Sequence, residues 1–375
     1  MKTVRVSLLP KKADDRSYEV VFGSIGPSLT GALKKLNLGG RRVFVVTSKR
    51  LVNLGYARKL KTILSKGGFP VQVLVVPDGE KFKTLSVLTG LFKAAVKEGI
   101  DRRSLVMALG GGVISDLAGL FAATVLRGVS FVSIPTTLLG MVDAAIGGKT
   151  GVDLPQGKNL VGVFWQPSLV WIDTGFLRTL PRREWITGFA EVVKYGVIRD
   201  GAFFRWLVQN VRRHPDISRW PAKDVGFAVW TAARHKAAVV KSDEKETPLK
   251  GGREILNFGH TVGHALEAAT DYQAMSHGEA VSVGMVAAGL IARARSLWSD
   301  DAQLQLVSTL EAVGLPIHVP SRLKVNREKF WAAIIKDKKA IGGRLRFVLP
   351  KKAGSVVVKS DIPIGLVKKI MASLW

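Results

Sequence analysis

Three of the six histidines in this 375-residue chain fall within one stretch, Arg253–Val281, which reads REILNFGHTVGHALEAATDYQAMSHGEAV. His260 and His264 stand four apart in a helix-like run, so their imidazoles share one helical face. His277 follows a polar, turn-prone segment (Asp271, Tyr272, Ser276) and directly precedes Gly278-Glu279. Two imidazoles on a helix and a third returning from a loop suit a divalent metal with at least one further ligand from elsewhere. An ordinary polar helix face is the alternative that spacing leaves open. The zincin pattern is excluded, because Thr261-Val262-Gly263 follows His260 where that motif needs a glutamate.

A second group of candidates is rich in glycine. The strand-like run Ser104–Leu109 enters Gly110-Gly111-Gly112-Val113-Ile114-Ser115-Asp116 and then a helix-like run to about Leu126. Glycines between a strand and a helix let backbone amides approach a diphosphate at the helix N-terminus. A tight turn is the plain alternative, and the G-x-G-x-x-G spacing is absent. Another strand, Val129–Ile134, ends at Pro135-Thr136-Thr137, with two hydroxyls where α/β sheets bind ribose or phosphate. Farther on, Gly147-Gly148-Lys149 and Gly157-Lys158-Asn159 put ammonium groups on a glycine-rich loop near Asp143, as suits phosphate or carboxylate. In Gly188–Tyr195, Glu191 and Lys194 share a face, and a carboxylate among such apolar neighbours demands a partner, for which a metal is natural.

The elements that must position these residues change character once along the chain. Val4–Leu9, Tyr18–Phe22, Arg42–Thr47, Val71–Val76, Ser104–Leu109, Val129–Ile134 and Val170–Asp173 read as strands, with helices predicted at Ser28–Leu36, Leu51–Gly67 and after Asp78-Gly79. That alternation predicts a parallel α/β sheet. From about Pro181 helical runs take over: Trp185–Val197, Ala202–Asn210, Lys223–Lys241, Thr261–Thr270, Gly278–Leu297 and Gln303–Ala312. The expected organisation is an α/β domain over 1–180 and an α-helical domain over 181–375.

Composition narrows the classes. With no cysteine, a metal must be held by His, Asp or Glu, which favours zinc or a similar divalent ion. No signal peptide or uninterrupted apolar span of about 18 residues is present in the sequence, so a cytoplasmic protein without membrane association is expected. The 56 Lys and Arg against 29 Asp and Glu give a net charge of +27, which attracts polyanions. The cations are scattered as isolated doublets such as Lys11-Lys12 and Arg212-Arg213, which argues against a nucleic-acid partner and for host-specific surface chemistry with some attraction for anionic metabolites.

The motifs together closely resemble the 3-dehydroquinate synthase family of sugar-phosphate cyclases. The resemblance rests on DGEKFK (Asp78–Lys83), GGGVISD (Gly110–Asp116), PTTLL (Pro135–Leu139), VDAAIGGKTGVD (Val142–Asp153), GKN (Gly157–Asn159), FAEVVKYG (Phe189–Gly196), LNFGHTVGHALE (Leu256–Glu267) and HGEAV (His277–Val281). These motifs run in the family's order over roughly residues 40 to 350, and the ordered set is highly specific.

The resemblance implies a Rossmann-like nucleotide-binding α/β domain, an all-α metal-binding domain and an active site in the cleft between them. It implies zinc, with cobalt as an alternative, held by Glu191, His260 and His277, and makes His264 a general acid/base and anion contact. It implies NAD against Asp78, Gly79, Glu80, Lys81, Phe82 and Lys83, against Gly112, Val113, Ile114, Ser115 and Asp116, and against Thr136, Thr137, Phe176, Leu177, Arg178 and Thr179. Lys149 and Lys158 lie between cofactor and substrate roles. The substrate's anions would meet Arg127, Asp143, Lys149, Asn159, Lys194, Lys236, Arg253, Asn257 and either Lys338 or Lys339.

The implied reaction converts 3-deoxy-D-arabino-heptulosonate 7-phosphate to 3-dehydroquinate and phosphate, a phosphate-eliminating carbon–oxygen lyase step of the shikimate pathway to chorismate and the aromatic amino acids. It runs by transient oxidation by NAD, β-elimination of phosphate, re-reduction and intramolecular aldol closure. The family expectation is a homodimer acting on a small anionic sugar phosphate. Two positions depart from the pattern: Ser48-Lys49 stands where Asn or Asp is usual, and the loop between Lys236 and Arg253 is about three residues longer. The rivals are a sister cyclase making 2-deoxy-scyllo-inosose or 2-epi-5-epi-valiolone, a metal-dependent polyol dehydrogenase, and a basic nucleic-acid-binding protein. Asn257, Arg253 and Lys236 argue against the sister cyclase, because they suit a substrate bearing a carboxylate.

Overall fold

Hydrophobic runs buried on both faces build the central sheet. In the computed structural model, which describes residues 16–246, 252–272, 274–340 and 345–375, β1 (Glu19–Phe22), β2 (Val43–Ser48), β3 (Val71–Val76), β4 (Leu105–Gly110) and β5 (Ser130–Pro135) belong to one sheet. The strand expected over Val4–Leu9 lies outside the described residues. A hairpin of β6 (Lys149–Leu154) and β7 (Gly157–Phe164) stands apart from the sheet, and β8 (Leu169–Ile172) returns to it. The order is β1-β8-β5-β4-β2-β3, with every neighbouring pair parallel.

Helices cover both faces, as parallel sheets require. α1 (Pro27–Lys35), α2 (Lys49–Asn53) and α3 (Tyr56–Lys66) bury Leu29, Leu33, Leu60 and Leu64 against Val43, Val45, Leu105 and Met107. α4 (Leu85–Lys97) and α5 (Gly112–Thr124) bury Leu88, Leu91, Leu117 and Phe121 against the alternate residues Phe44, Val46, Val106 and Ala108. The run expected as one helix over Leu51–Gly67 is two, because Gly55 breaks it in a left-handed conformation (φ 80°).

After β2 the chain moves outward to β3, then crosses back to place β4 on the other side of β2. That reversal opens a crevice beyond the carboxyl ends of β2 and β4, where α/β sheets bind ligands. Ser48 ends β2 and Gly110-Gly111-Gly112 joins β4 to α5, so both stand at that crevice.

The remaining helices are α6 (Arg182–Arg199), α7 (Gly201–Arg213), α8 (Ala222–Ser242), α9 (His260–Ala269), α10 (His277–Ala294), α11 (Asp300–Ala312), α12 (Arg327–Ala340) and α13 (Ile364–Leu374). They carry one further hairpin, β9 (Phe347–Lys352) with β10 (Ser355–Lys359). One apolar core runs from Leu29 and Leu105 beneath the sheet to Phe189, Leu266 and Met285 in the helices, so the two halves meet through packed side chains. No helix among the described residues is long and apolar enough to cross a membrane.

Close approach of α10 to the turn before α9 and to α6 depends on glycine. A Cβ on Gly284 would lie 1.9 Å from the Gly259 carbonyl oxygen, and one on Gly278 would lie 2.2 Å from that of Thr187. Gly259 itself holds φ 80° immediately before His260 and sets where α9 begins. Gly284→Ala is therefore expected to push α10 away from the turn before His260, at a cost of about 1–3 kcal/mol or more. Thermal or denaturant unfolding of the variant checks this; an unchanged midpoint would contradict it.

Candidate active site

Glu191 is fully buried on α6, at 0% exposure. Nε2 of His260, the first residue of α9, and Nε2 of His277, the first residue of α10, lie 3.6 and 3.5 Å from its Oε1. Donor atoms of the three residues lie within 4.8 Å of one another. Local sequence holds each imidazole in place. His260 Nδ1 lies 3.0 Å from the Phe258 carbonyl oxygen, so a proton there donates to that oxygen and leaves Nε2 as a lone-pair donor. His277 sits in a capping box, where the Ser276 hydroxyl accepts from the Glu279 amide and the Ser276 amide donates to Glu279 Oε2 at 2.6 Å. Its Nδ1 is 3.4 Å from Oε2 of Glu267, a residue three beyond His264 on the same face of α9.

The electrostatics ask for a cation between these groups. Burial raises the Glu191 carboxyl, but Lys194, His277 and His260 outweigh it and hold the group at about 2. Burial lowers His277, but Glu191 and Glu267 outweigh it and lift the imidazole to about 10. His260 is pushed well below the ordinary imidazole value by burial and by Lys194. Oε1 of Glu191 is buried and accepts no hydrogen bond among the described residues, while Oε2 is ion-paired to Lys194. A divalent ion among two imidazoles and a carboxylate satisfies that oxygen and keeps open coordination positions, so the donor set fits zinc. His264 lies beside this group, with its ring centroid 5.2 Å from that of His260. With Glu267 and His277 it forms a second group whose donor atoms also lie within 4.8 Å.

Three adjoining cavities meet here. The first, about 540 Å³, covers the crevice at the end of β4 and is lined by Asp78, Gly79, Glu80, Gly112, Val113, Ile114, Thr136, Thr137, Lys158, Phe176 and Thr179. Ser48, the departure noted in the sequence, lines it too. A second, about 430 Å³, contains Lys83, Asp116, Asp143, Lys158, Asn159 and His264. His277 lines both. The third, about 480 Å³, shares Asp116, Asp143 and Asn159 with the second and adds Lys149, Lys236 and Arg253. His277 thus sets the metal-type group where the glycine-walled cavity meets the middle one, which in turn adjoins the cationic cavity through Asp116, Asp143 and Asn159.

Ion pairs hold the cations in place. Lys83 Nζ lies 2.5 Å from Asp116 Oδ2 and also bonds Asn159. Burial would lower this ammonium, but Asp116 and Glu80 outweigh it and raise it, while burial lifts the Asp116 carboxyl to about 6 against Lys83. Lys236 donates to Asp143 Oδ1 at 2.6 Å, and the Tyr195 hydroxyl donates to the same oxygen at 2.7 Å. Lys149 pairs with Glu246. Arg253, 1% exposed, is held by the Glu244 carbonyl at 2.5 Å, and its Nε has no partner among the described residues. The segment expected as a glycine–lysine loop is the β6–β7 hairpin, which directs Lys149 and Asn159 toward one cavity. Gly147 and Gly148, with φ of 108° and 65°, turn the chain into it, and a Cβ on Gly162 would lie 2.1 Å from the Thr150 carbonyl oxygen of the facing strand.

Other expected site residues stand elsewhere. Lys194 is buried behind Glu191. Arg127 is exposed in the turn after α5, with φ 69°, and lines none of the three cavities. Asn257, half-buried in the turn before His260, lines none of them either. The Ser115 hydroxyl faces Ser133 at 3.2 Å beneath α5. Lys81 and Arg178 are exposed, Leu177 is in the core, and Phe82 lies under the Lys81 ammonium. The side chains of Lys338 and Lys339 lie outside the described residues. Glu267, Tyr195, Thr187 and Tyr272 are site neighbours without an assigned role in the sequence reading; the spacing 260, 264, 267 on one helical face is the signal that would have found Glu267.

Comparison with known proteins gives consistent matches. The family model described as 3-dehydroquinate synthase N-terminal matches residues 73–187, and the one described as 3-dehydroquinate synthase C-terminal matches 188–340. The chain is 40% identical over 365 residues to a 3-dehydroquinate synthase of Rippkaea orientalis, covering 97% of this chain and 98% of that one. It is 42% identical over 367 residues to one from Pelotomaculum thermopropionicum, covering 96% and 94%. Among solved structures, ValA, a 2-epi-5-epi-valiolone synthase from Streptomyces hygroscopicus with NAD+ and Zn2+ bound, superimposes with a TM-score of 0.86 at 27% identity over 99% of both chains. A 2-deoxy-scyllo-inosose synthase complexed with carbaglucose-6-phosphate, NAD+ and Co2+ gives 0.81 at 26% identity, covering 96% and 98%.

Proposed function

The chain belongs to the 3-dehydroquinate synthase family, and we propose that Glu191, His260 and His277 hold its divalent metal, that the glycine-walled cavity binds NAD and that the cationic cavity takes the sugar phosphate. The reaction is conversion of 3-deoxy-D-arabino-heptulosonate 7-phosphate to 3-dehydroquinate and phosphate. The observation that carries this reading is the place of His277, which lines the nucleotide cavity and its neighbour while facing Glu191. A reacting carbon there would lie within reach of metal, cofactor and anion-binding groups at once.

When bound, the metal would polarise a substrate hydroxyl and NAD would take up and return a hydride, both being regenerated in each turnover. The chain's own residues do the rest. Lys149, Lys236, Arg253 and Asn159 bind a substrate carrying both carboxylate and phosphate, and the ion pairs of Lys236 and Lys83 fix two ammonium groups before substrate arrives. Asp143 holds Lys236 and Tyr195 in one arrangement. His264, beside the metal group and open to the middle cavity, exchanges a proton with the substrate. Holding a flexible sugar in one conformer for elimination and ring closure is the largest task left to the protein.

Within this reading 1–180 is the nucleotide domain, 181–375 the metal domain, and the enzyme a homodimer. Relatives at about 40% identity over nearly the full length favour this reaction over those of the sister cyclases. The test is an assay with zinc and NAD supplied, following phosphate and 3-dehydroquinate together. Equimolar appearance of both is expected, with no product from a heptulose phosphate lacking the carboxylate. Failure to release phosphate overturns the reading.

A further inference from the structure

We propose that Glu267 is a positioning residue that couples the metal group to the nucleotide cavity, so that metal and NAD each tighten the binding of the other. The inference rests on the metal and NAD sites proposed above. Glu267 divides its two oxygens between two partners. Oε2 lies 3.4 Å from Nδ1 of His277, and Oε1 lies 3.4 Å from Nζ of Lys158. Lys158 Nζ also lies 3.4 Å from Oε1 of Glu80, and it rests over the Tyr272 ring at 4.9 Å from the centroid. With His277 Nε2 3.5 Å from Glu191, a continuous chain runs Glu191–His277–Glu267–Lys158–Glu80.

Each link comes from a different part of the fold. Glu191 is on α6, His277 opens α10, Glu267 is on α9, Lys158 is on β7 and Glu80 is in the turn after β3. The chain therefore joins the helical half to the α/β half across the cavities. Lys158, Glu80, Tyr272 and His277 all line the nucleotide cavity, so a ligand that orders that wall orders the chain. Side chains such as Lys and Glu lose rotamer freedom when fixed, and the first ligand to fix them spares the second that cost. The link nearest the metal resembles the carboxylate–histidine–metal arrangement, in which the outer carboxylate sets the ring's tautomer and orientation. Glu267 is 5% exposed and Glu80 is 39% exposed, so salt screens the outer end of the chain and spares the inner end.

The experiment measures zinc affinity by chelator competition with and without NAD, and NAD affinity with and without zinc. In the wild type each ligand is expected to tighten the other by the same factor, about fivefold or more, because coupling of this kind is reciprocal. In Glu267→Gln, zinc affinity is expected to fall about 10–100-fold and the coupling factor to drop to one. In Lys158→Met, zinc affinity without NAD should stay within about threefold of wild type while the coupling factor still drops to one. Independent binding in the wild type, mutual weakening, or a coupling factor that survives in both variants would each overturn the proposal. If Glu267→Gln does not fold, the wild-type measurement together with Lys158→Met still decides the matter. Failure of the wild type to bind zinc or NAD at all would instead refute the function proposed above.

Discussion

His277→Ala is expected to lose metal and turnover together, whereas His264→Ala should keep the metal and lose about 10²–10⁴-fold in kcat. The difference follows from which group each imidazole joins. His277 Nε2 faces the buried Glu191 at 3.5 Å while its Nδ1 is held by Glu267. Removing that ring leaves a buried carboxylate with one imidazole and a lysine, so the affinity loss should exceed the roughly 10–100-fold that follows loss of an outer partner. His264 faces the middle cavity and stands outside the Glu191 group, so its loss removes a proton carrier and leaves Glu191, His260 and His277 intact. Metal content after exhaustive dialysis, measured beside kcat for phosphate release, separates the two variants. Equal metal loss would make His264 a ligand through the second group, with Glu267 and His277, and would overturn the division of roles.

The α/β half is legible in the sequence because its signals are local. Runs such as VFVVTS at β2 and LVMALG at β4 are mostly apolar and buried at every residue, and only a doubly covered parallel strand buries both faces. The break at Gly55 is harder to read, since a lone glycine in a helical pattern is often tolerated and only its left-handed conformation ends the helix. The β6–β7 hairpin hides for a related reason. Five glycines between residues 147 and 162 suggest a loop, yet Gly151 and Gly162 face each other, where two strands cross too closely for side chains. Strand order lies beyond periodicity altogether, because the crossover after β3 depends on pairing between distant segments.

The site is legible to the extent that its chemistry demands residue types. Glu191, His260 and His277 stand out as a carboxylate in an apolar helix and two rare imidazoles, and the fold brings their donor atoms together. The longer loop after Lys236 separates it from Arg253 by more residues than the family pattern has, yet Lys236 lies 2.6 Å from Asp143 in the cavity that Arg253 also lines. Residues that act through others carry no such signal. Glu267 is one more glutamate on a helix until His277 and Lys158 are seen at its two oxygens. Tyr195 is one more aromatic until its hydroxyl is seen donating to Asp143. Arg127 is given a substrate anion by the family resemblance alone, and the fold leaves it exposed, away from the three cavities.

Asp143→Asn is expected to destabilise the protein by about 3 kcal/mol at neutral pH and to lower kcat/KM about 10²-fold. Asp143 receives Lys236 at 2.6 Å and Tyr195 at 2.7 Å on one oxygen, and it lies within the field of Lys194. Breaking a buried ion pair costs about 3–5 kcal/mol, and the 24% exposure of the Asp143 side chain sets the expectation at the low end. The variant leaves Lys236, already lowered by burial, without the anion it touches, so the ammonium shifts and the substrate's anions meet a misplaced partner. The pH dependence carries a definite sign. Burial raises the Asp143 carboxyl, but Lys236 and Lys194 outweigh it and hold the folded-state value well below the ordinary 3.8. Such a group adds stability above its unfolded-state pKa and loses that stability as pH falls toward the folded-state value. The gap between wild type and Asp143→Asn in denaturant unfolding should therefore be steady near neutrality and narrow as pH drops below about 4. A gap that stays constant down to pH 3, or one that widens there, would show that Asp143 stabilises the fold through its shape and hydrogen bonds and owes nothing to its charge.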